Sequence, residues 1–115
     1  MSLFFNFIET KILRMRPMFV HTVFFWLKDE LSEAQKKSFI EGVETLKNIQ
    51  PNVSILTGTP ASTNRPVIDT SYDYGLTCIF ESRADHDIYQ EDPVHQKFLE
   101  EHAGDWQKVV IYDFK

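Results

Sequence analysis

The amino-acid sequence predicts an α+β domain: one four-stranded antiparallel sheet with helices on a single face, in the order β-α-β-β-α-β. Three observations predict it. Apolar residues recur with period two in Phe19 to Lys28 and Tyr74 to Glu81, as strands require. They recur at helical spacing, behind capping residues, in Glu33 to Asn48 and in Pro93 to about Ala103. Each helical stretch also lies between two strands, and right-handed crossovers place both on the same side of the sheet.

The first strand, Phe19 to Lys28, puts Phe19, His21, Val23, Phe25 and Leu27 on one face and Val20, Thr22, Phe24 and Trp26 on the other. Both faces are apolar, so both need cover. Ser32 followed by Gln35 forms a capping-box pattern, and Phe39, Ile40, Val43 and Leu46 then keep a helical period until Pro51 forbids continuation. Asn52 to Thr59 carries enough Val, Ile, Leu and Thr for a second strand, closed by Gly58 and Pro60. Pro60 to Asp73 is polar and aperiodic, and loops of this length are more often functional or mobile than silent.

Tyr74 to Glu81 makes the third strand, with Tyr74, Leu76, Cys78 and Phe80 on one face and Thr77 and Ile79 on the other. Ser82, with Asp85 three positions on, starts a short helix whose inward side is expected to be Ala84, Ile88 and Tyr89. Asp92-Pro93 restarts the chain as N-cap and first helical residue, and Gly104 is expected to cap the helix that follows. Lys108 to Phe114 closes the sheet. The order is that of a ferredoxin-like fold. Val20, Phe24, Trp26, Thr77 and Ile79, with Val109 and Ile111 expected beside them, leave an apolar sheet face that a monomer would expose. A second copy of the sheet covers it most simply, so a homodimer through this face is expected.

Composition narrows the classes. The chain has 115 residues, 43% of them apolar, with Lys+Arg 12 against Asp+Glu 17 and a net charge of −5. This suits one domain, long enough to build a core without staples. Residues 1–17 stand apart as an N-terminal extension. Lys11, Arg14 and Arg16 against Glu9 give them +2, leaving −7 on the 98-residue domain 18–115. They lack the basic start and Ala-x-Ala pattern of a secretory signal. One cysteine, Cys78, makes neither an intrachain disulfide nor a cysteine zinc site and fits a cytoplasmic protein. The acidic balance, with scattered basic residues and only Lys36-Lys37 adjacent, argues against nucleic acid. The longest apolar run, Val23 to Leu27, is far too short to span a membrane.

The opening His21-Thr-Val-Phe-Phe-Trp-Leu-Lys28 and the run Lys28-Asp-Glu-Leu-Ser-Glu-Ala-Gln-Lys37 carry a resemblance. So do Phe80-Glu81-Ser82, Tyr89 ahead of Asp92-Pro93-Val94-His95, and the closing Val109 to Phe114. Over residues 18–115 the sequence resembles the stress-responsive A/B barrel domain family of dimeric α/β barrels. The resemblance implies fold and dimerisation more than activity. Its cofactor-free polyketide-cyclase branch uses a tyrosine and a histidine in a cavity between sheet and helices. By position these correspond to Tyr89 and His95, the first-strand histidine to His21, and a third-strand polar position to Tyr74, where that branch has histidine. That departure and the long loop imply a different substrate.

The residues themselves support part of this. His95, Phe98, Leu99 and His102 form an i, i+3, i+4, i+7 stripe toward the core, while Lys97, Glu100 and Glu101 face outward. A histidine titrating near neutrality beside a tyrosine hydroxyl can remove a proton next to a carbonyl and steady the enolate. The competing role is structural, a buried histidine bonded to a tyrosine. His21 lies on the same inward face, and Tyr72, Tyr74, Phe25 and Phe80 are candidates for an aromatic wall.

His95 and His102 stand seven residues apart, about 10.5 Å along a helix, too far to share one ion, so no metal is expected. His86, between Asp85 and Asp87, reads as a solvated helix residue. No phosphate loop or nucleophile elbow is present. The expected function is a cofactor-free module binding a small apolar, aromatic or polyketide-like molecule, with His21, Phe25, Tyr74 and Phe80 on the ligand. Two enzymatic alternatives stand beside it: a cyclase-like lyase with His95 as base and Tyr89 as its partner, and a cofactor-free monooxygenase of the antibiotic-biosynthesis type.

Overall fold

A computed structural model describes residues 18–115. The expectations for residues 1–17 lie outside them. The elements are β1 (Phe19–Leu27), α1 (Glu33–Thr45) with a 3₁₀ turn Leu46–Asn48, β2 (Ser54–Gly58), β3 (Tyr74–Phe80), α2 (Arg83–Glu91), α3 (Pro93–His102) with a 3₁₀ turn Ala103–Asp105, and β4 (Trp106–Phe114). The sheet order is β2-β3-β1-β4, antiparallel throughout. This is the ferredoxin-like α+β arrangement, with the first strand at the centre beside the last.

Local chemistry sets the helix starts. Ser32 Oγ accepts the Gln35 amide at 3.1 Å while the Gln35 side chain accepts the Ser32 amide at 2.8 Å, the reciprocal pair the sequence predicts. Ser82 caps α2 through the Asp85 amide, and Asp92 caps α3 through the Val94 amide with Pro93 behind it. α3 ends in a 3₁₀ turn through Ala103, and no glycine takes a positive φ, so Gly104 does not supply a left-handed cap.

Burial follows the period-two pattern. His21, Val23, Phe25 and Leu27 of β1 and Tyr74, Leu76, Cys78 and Phe80 of β3 point into the layer under the helices. There they meet Phe39, Val43 and Leu46 from the α1 side and Tyr89 and Phe98 from the other. Phe25 stands edge-on to Phe39, with ring centroids 5.2 Å apart, and 5.1 Å from Trp106. α1 and α3 pack closely because position 42 is glycine: a Cβ there would lie 2.5 Å from the His102 ring.

Two strand and helix faces differ from expectation. In the β1–β4 register Phe25 faces Val109 and Val23 faces Ile111, while Phe24 faces Val110 and Thr22 faces Tyr112. Directly paired residues share a face, so Val109 and Ile111 lie on the helix side, and the outer face receives Lys108, Val110, Tyr112 and Phe114 instead. An irregularity at Trp26/Leu27 then sets Trp106 opposite Leu27, on the helix side. On α2 the buried residues are His86 and Tyr89, with Ala84 and Ile88 exposed. His86 is therefore a core residue, packed 4.6 Å from the Phe19 ring and 5.6 Å from Phe80.

The outer face keeps Leu56, Tyr112 and Phe114 about 60% exposed. The loop before β3 reaches onto it: Tyr72 meets Phe24 edge-on at 4.8 Å, and Ser71 accepts the Trp26 indole N–H at 3.1 Å. Asp73 ties that loop to β1, its carboxylate accepting the Leu27 amide at 2.7 Å and its amide donating to the Phe25 carbonyl at 2.8 Å. No helix among the described residues is long and apolar enough to cross a membrane.

Candidate functional site

Between the inner sheet face and the helices lies a cavity of about 150 Å³. Its walls are mainly apolar, from Val23, Phe25, Leu76, Phe98 and Trp106, with Val109 and Ile111 of β4 at a partly exposed margin. The polar side chains on it are His21, Tyr89, Gln90 and His95. The break between α2 and α3 positions two of these. Tyr89 sits in the last turn of α2 and His95 in the first turn of α3, and the Asp92 cap turns the chain so that their rings meet edge-on, 4.9 Å apart at 72°.

The two rings touch without a hydrogen bond. Tyr89 Oη and His95 Nδ1 are both fully enclosed and have no hydrogen-bond partner. The expected Tyr89–His95 hydrogen bond is therefore absent, because the rings meet edge to face rather than tip to tip. Burial holds the His95 pKa below 6.5, assisted by the nearby His21 and His86 and opposed by Asp92. It stays a neutral imidazole at neutral pH. Burial raises the Tyr89 pKa, as does the adjacent Cys78 thiol, so the phenol stays protonated. The site thus pairs a neutral base with a neutral donor inside an apolar wall.

His21 is anchored from the other side. Its Nδ1–H donates to Asp113 of β4 at 2.6 Å, and its ring packs 4.7 Å from His86 and 6.1 Å from Tyr89. Burial lowers its pKa, outweighing the Asp113 carboxylate.

The family profile of the stress responsive A/B barrel domain matches residues 19–115. The chain belongs to that family. This A/B barrel chain is 28% identical over 94 residues to olivetolic acid cyclase of Cannabis sativa, covering 82% of this chain and 92% of that protein. Among solved structures it resembles the hydroxynitrile lyase of Passiflora edulis, at 25% identity and a TM-score of 0.69, covering 84% of this chain and 91% of that one. It also resembles a dimeric ferredoxin-like protein of unknown function from Thermobifida fusca, at 18% identity and a TM-score of 0.69, covering 84% and 89%.

In this A/B barrel the structure brings His21, Phe25, Tyr89 and His95 to one cavity. Tyr74 and Phe80 are not on its wall. Tyr74 points toward α1, its hydroxyl donating to Glu44 at 2.9 Å, and Phe80 lies behind Tyr89 with rings 5.2 Å apart. Tyr72 is on the outer sheet face. His102 is remote, its Nδ1–H donating to Asp105 at 3.0 Å. Cys78 is enclosed and its thiol is pushed up to about 11, so it is unreactive at neutral pH.

Sequence reasoning missed Gln90 and His86. His86, Tyr89 and Gln90 stand at i, i+3 and i+4, a helical signal hidden by the aspartates flanking His86. Among the described residues His21, His86 and Asp113 also form a group with metal-ligand spacing, which distances along α3 alone had no means of revealing.

Proposed function

We propose that this A/B barrel protein binds a small, mainly apolar or aromatic molecule carrying one or two polar atoms in the cavity between sheet and helices. The observation that carries the reading is that three enclosed polar atoms without partners, Tyr89 Oη, His95 Nδ1 and Trp106 Nε1, belong to side chains lining an otherwise apolar space. Buried polar groups are nearly always satisfied, and unpaired ones concentrate where a ligand completes them. About 150 Å³ accommodates a single ring of benzene size. Tyr89 would donate to a ligand oxygen, while His95 accepts or donates according to its tautomer.

The test is a thermal-shift screen of small phenols and aromatic acids on the wild type and His95→Ala. A ligand that stabilises the wild type and loses most of that effect in the variant supports the reading. Equal stabilisation of both removes His95 from recognition.

A second reading has the pair act on the ligand, favoured by the neutral base set beside a protonated donor and by the two relatives named as a cyclase and a lyase. His95 would take a proton from a carbon next to a carbonyl. The C–H electron pair would become the C=C bond of the enolate and the carbonyl π pair would move onto the oxygen, where the Tyr89 hydroxyl donates. Turnover by the wild type that falls in both His95→Ala and Tyr89→Phe would support it.

The stable unit is proposed to be a homodimer, as in the Thermobifida fusca protein, because Leu56, Tyr112 and Phe114 leave an apolar outer sheet face uncovered. Phe24→Asp would then sediment as a monomer where the wild type sediments as a dimer. The lone enclosed Cys78, with no disulfide to maintain, supports a cytoplasmic setting.

A further inference from the structure

We propose that His21, His86 and Asp113 form a binding site for a divalent transition-metal ion of the zinc type, at the edge of the ligand cavity and sharing His21 with it. One donor atom from each of the three residues lies within 4.8 Å of the others. Donors around a tetrahedral zinc stand roughly 3.3 Å apart, given bonds of about 2.0–2.1 Å, so side-chain rotations of an ångström or two close the set. Two imidazoles and a carboxylate suit zinc, cobalt and nickel, and three protein ligands leave a coordination position open.

The surrounding contacts prepare the two rings. Asp113 accepts the Nδ1–H of His21 at 2.6 Å, and Asp87 accepts the Nδ1–H of His86 at 3.3 Å. Asp87 therefore fixes the His86 tautomer whose Nε2 carries the lone pair, the arrangement that orients metal-ligating histidines, while Asp113, on the Nδ1 side of His21, would share an ion with that nitrogen in place of its proton. Both Nε2 atoms lie near one group, the Gln90 side-chain amide, 3.5 Å from His21 and 3.3 Å from His86. The Gln90 amide thus holds the two rings side by side, with Asp113 at the Nδ1 edge of His21.

The site has access to solvent. His86 and Asp113 line a surface crevice with Phe19, Arg83, Asp87 and Lys115, and Asp113 is on the exposed edge strand. His21 lines the ligand cavity and is bonded to Asp113 of the crevice, so a bound ion would stand at the wall between the two.

The experiment is calorimetric titration of Zn²⁺ into the full chain after chelator treatment, with Co²⁺ as the optical probe. The expected result is one ion per chain and tetrahedral Co²⁺ bands. Both should be lost in His86→Gln and in Asp113→Asn, and both kept in His102→Gln. Asp87→Asn, which disturbs only the orienting contact, should weaken binding about tenfold. Asp113→Asn alters an exposed edge-strand residue and so carries the test even if His86→Gln fails to fold. The proposal is overturned if the wild type binds no stoichiometric Zn²⁺, or if Asp113→Asn binds it as tightly as the wild type.

Discussion

Replacing Tyr89 with phenylalanine should make the protein more stable and less functional at once. The substitution removes a single oxygen and leaves the ring, with its contacts to His95 at 4.9 Å and Phe80 at 5.2 Å, in place. In the unfolded chain that hydroxyl is hydrated, whereas in the fold it is enclosed without a hydrogen-bond partner. An unsatisfied buried group of this kind costs about 1–3 kcal/mol. Against the gain stand the weak contact with the Cys78 thiol and a void of roughly 10 Å³, which at about 24 cal/mol per Å³ costs about 0.2 kcal/mol. A net stabilisation of about 1 kcal/mol follows, or a Tm higher by about 4–8 °C. Urea unfolding at neutral pH reads it as a raised midpoint with an unchanged slope. Affinity for any ligand found with the wild type should fall in the same variant. A loss of stability of about 0.5 kcal/mol or more would show that the hydroxyl is satisfied in the folded state, and the argument for a ligand-completed pair would go with it.

Three further outcomes are expected. Burial holds the pKa values of His21 and His95 below 6.5, so the unfolded chain takes up protons first as pH falls. Stability should be full above pH 6.5 and decline through it toward the folded values, by at most about 1.4 kcal/mol per pH unit for each histidine. Denaturant midpoints from about pH 8 to pH 5 should show this, with a shallower decline in His95→Leu. Cys78, enclosed and pushed up to about 11, should resist a maleimide in the native state. Its labelling in urea should follow global unfolding, and fast labelling of the native protein would contradict the enclosed position. Gly42→Ala would gain about 1 kcal/mol of helix propensity on an open surface, but here the new methyl meets the His102 ring at 2.5 Å. Overpacking of this kind costs about 1–3 kcal/mol, so a lower Tm is expected, relieved when His102→Ala is added.

The β1 and β3 faces and the three helix starts were legible because their signals are local: period-two alternation in Phe19–Leu27 and Tyr74–Phe80, and the oxygens of Ser32, Ser82 and Asp92 at the caps. β4 was only half legible. Val109, Val110, Ile111 and Tyr112 are all apolar, so alternation does not say which pair faces inward; hydrogen-bonded register with β1 decides it. The meeting of His95 and Tyr89 in one cavity could be anticipated from the α3 stripe and the family pattern, but the missing hydrogen bond between them depends on ring orientation. His86 was misread because its neighbours in sequence are carboxylates, while its neighbours in space are Phe19, His21 and Phe80. The Asp113 partner of His21 lies on a different strand, beyond any local pattern.

The pairing of β1 with β4 also fixes when the site can exist. His21 and Asp113 are 92 residues apart, and the cavity needs Val23 and Phe25 from the first strand and Val109 and Ile111 from the last. Contacts of such separation form late and close only when the whole sheet has assembled. A ribosome-bound or partly folded chain lacking β4 would leave β1 as an open edge strand, paired only with β3, and would have no competent site. Occupancy therefore reports on the complete fold, and a ligand or ion held there should slow exchange of the most protected β1 amides rather than of one local segment.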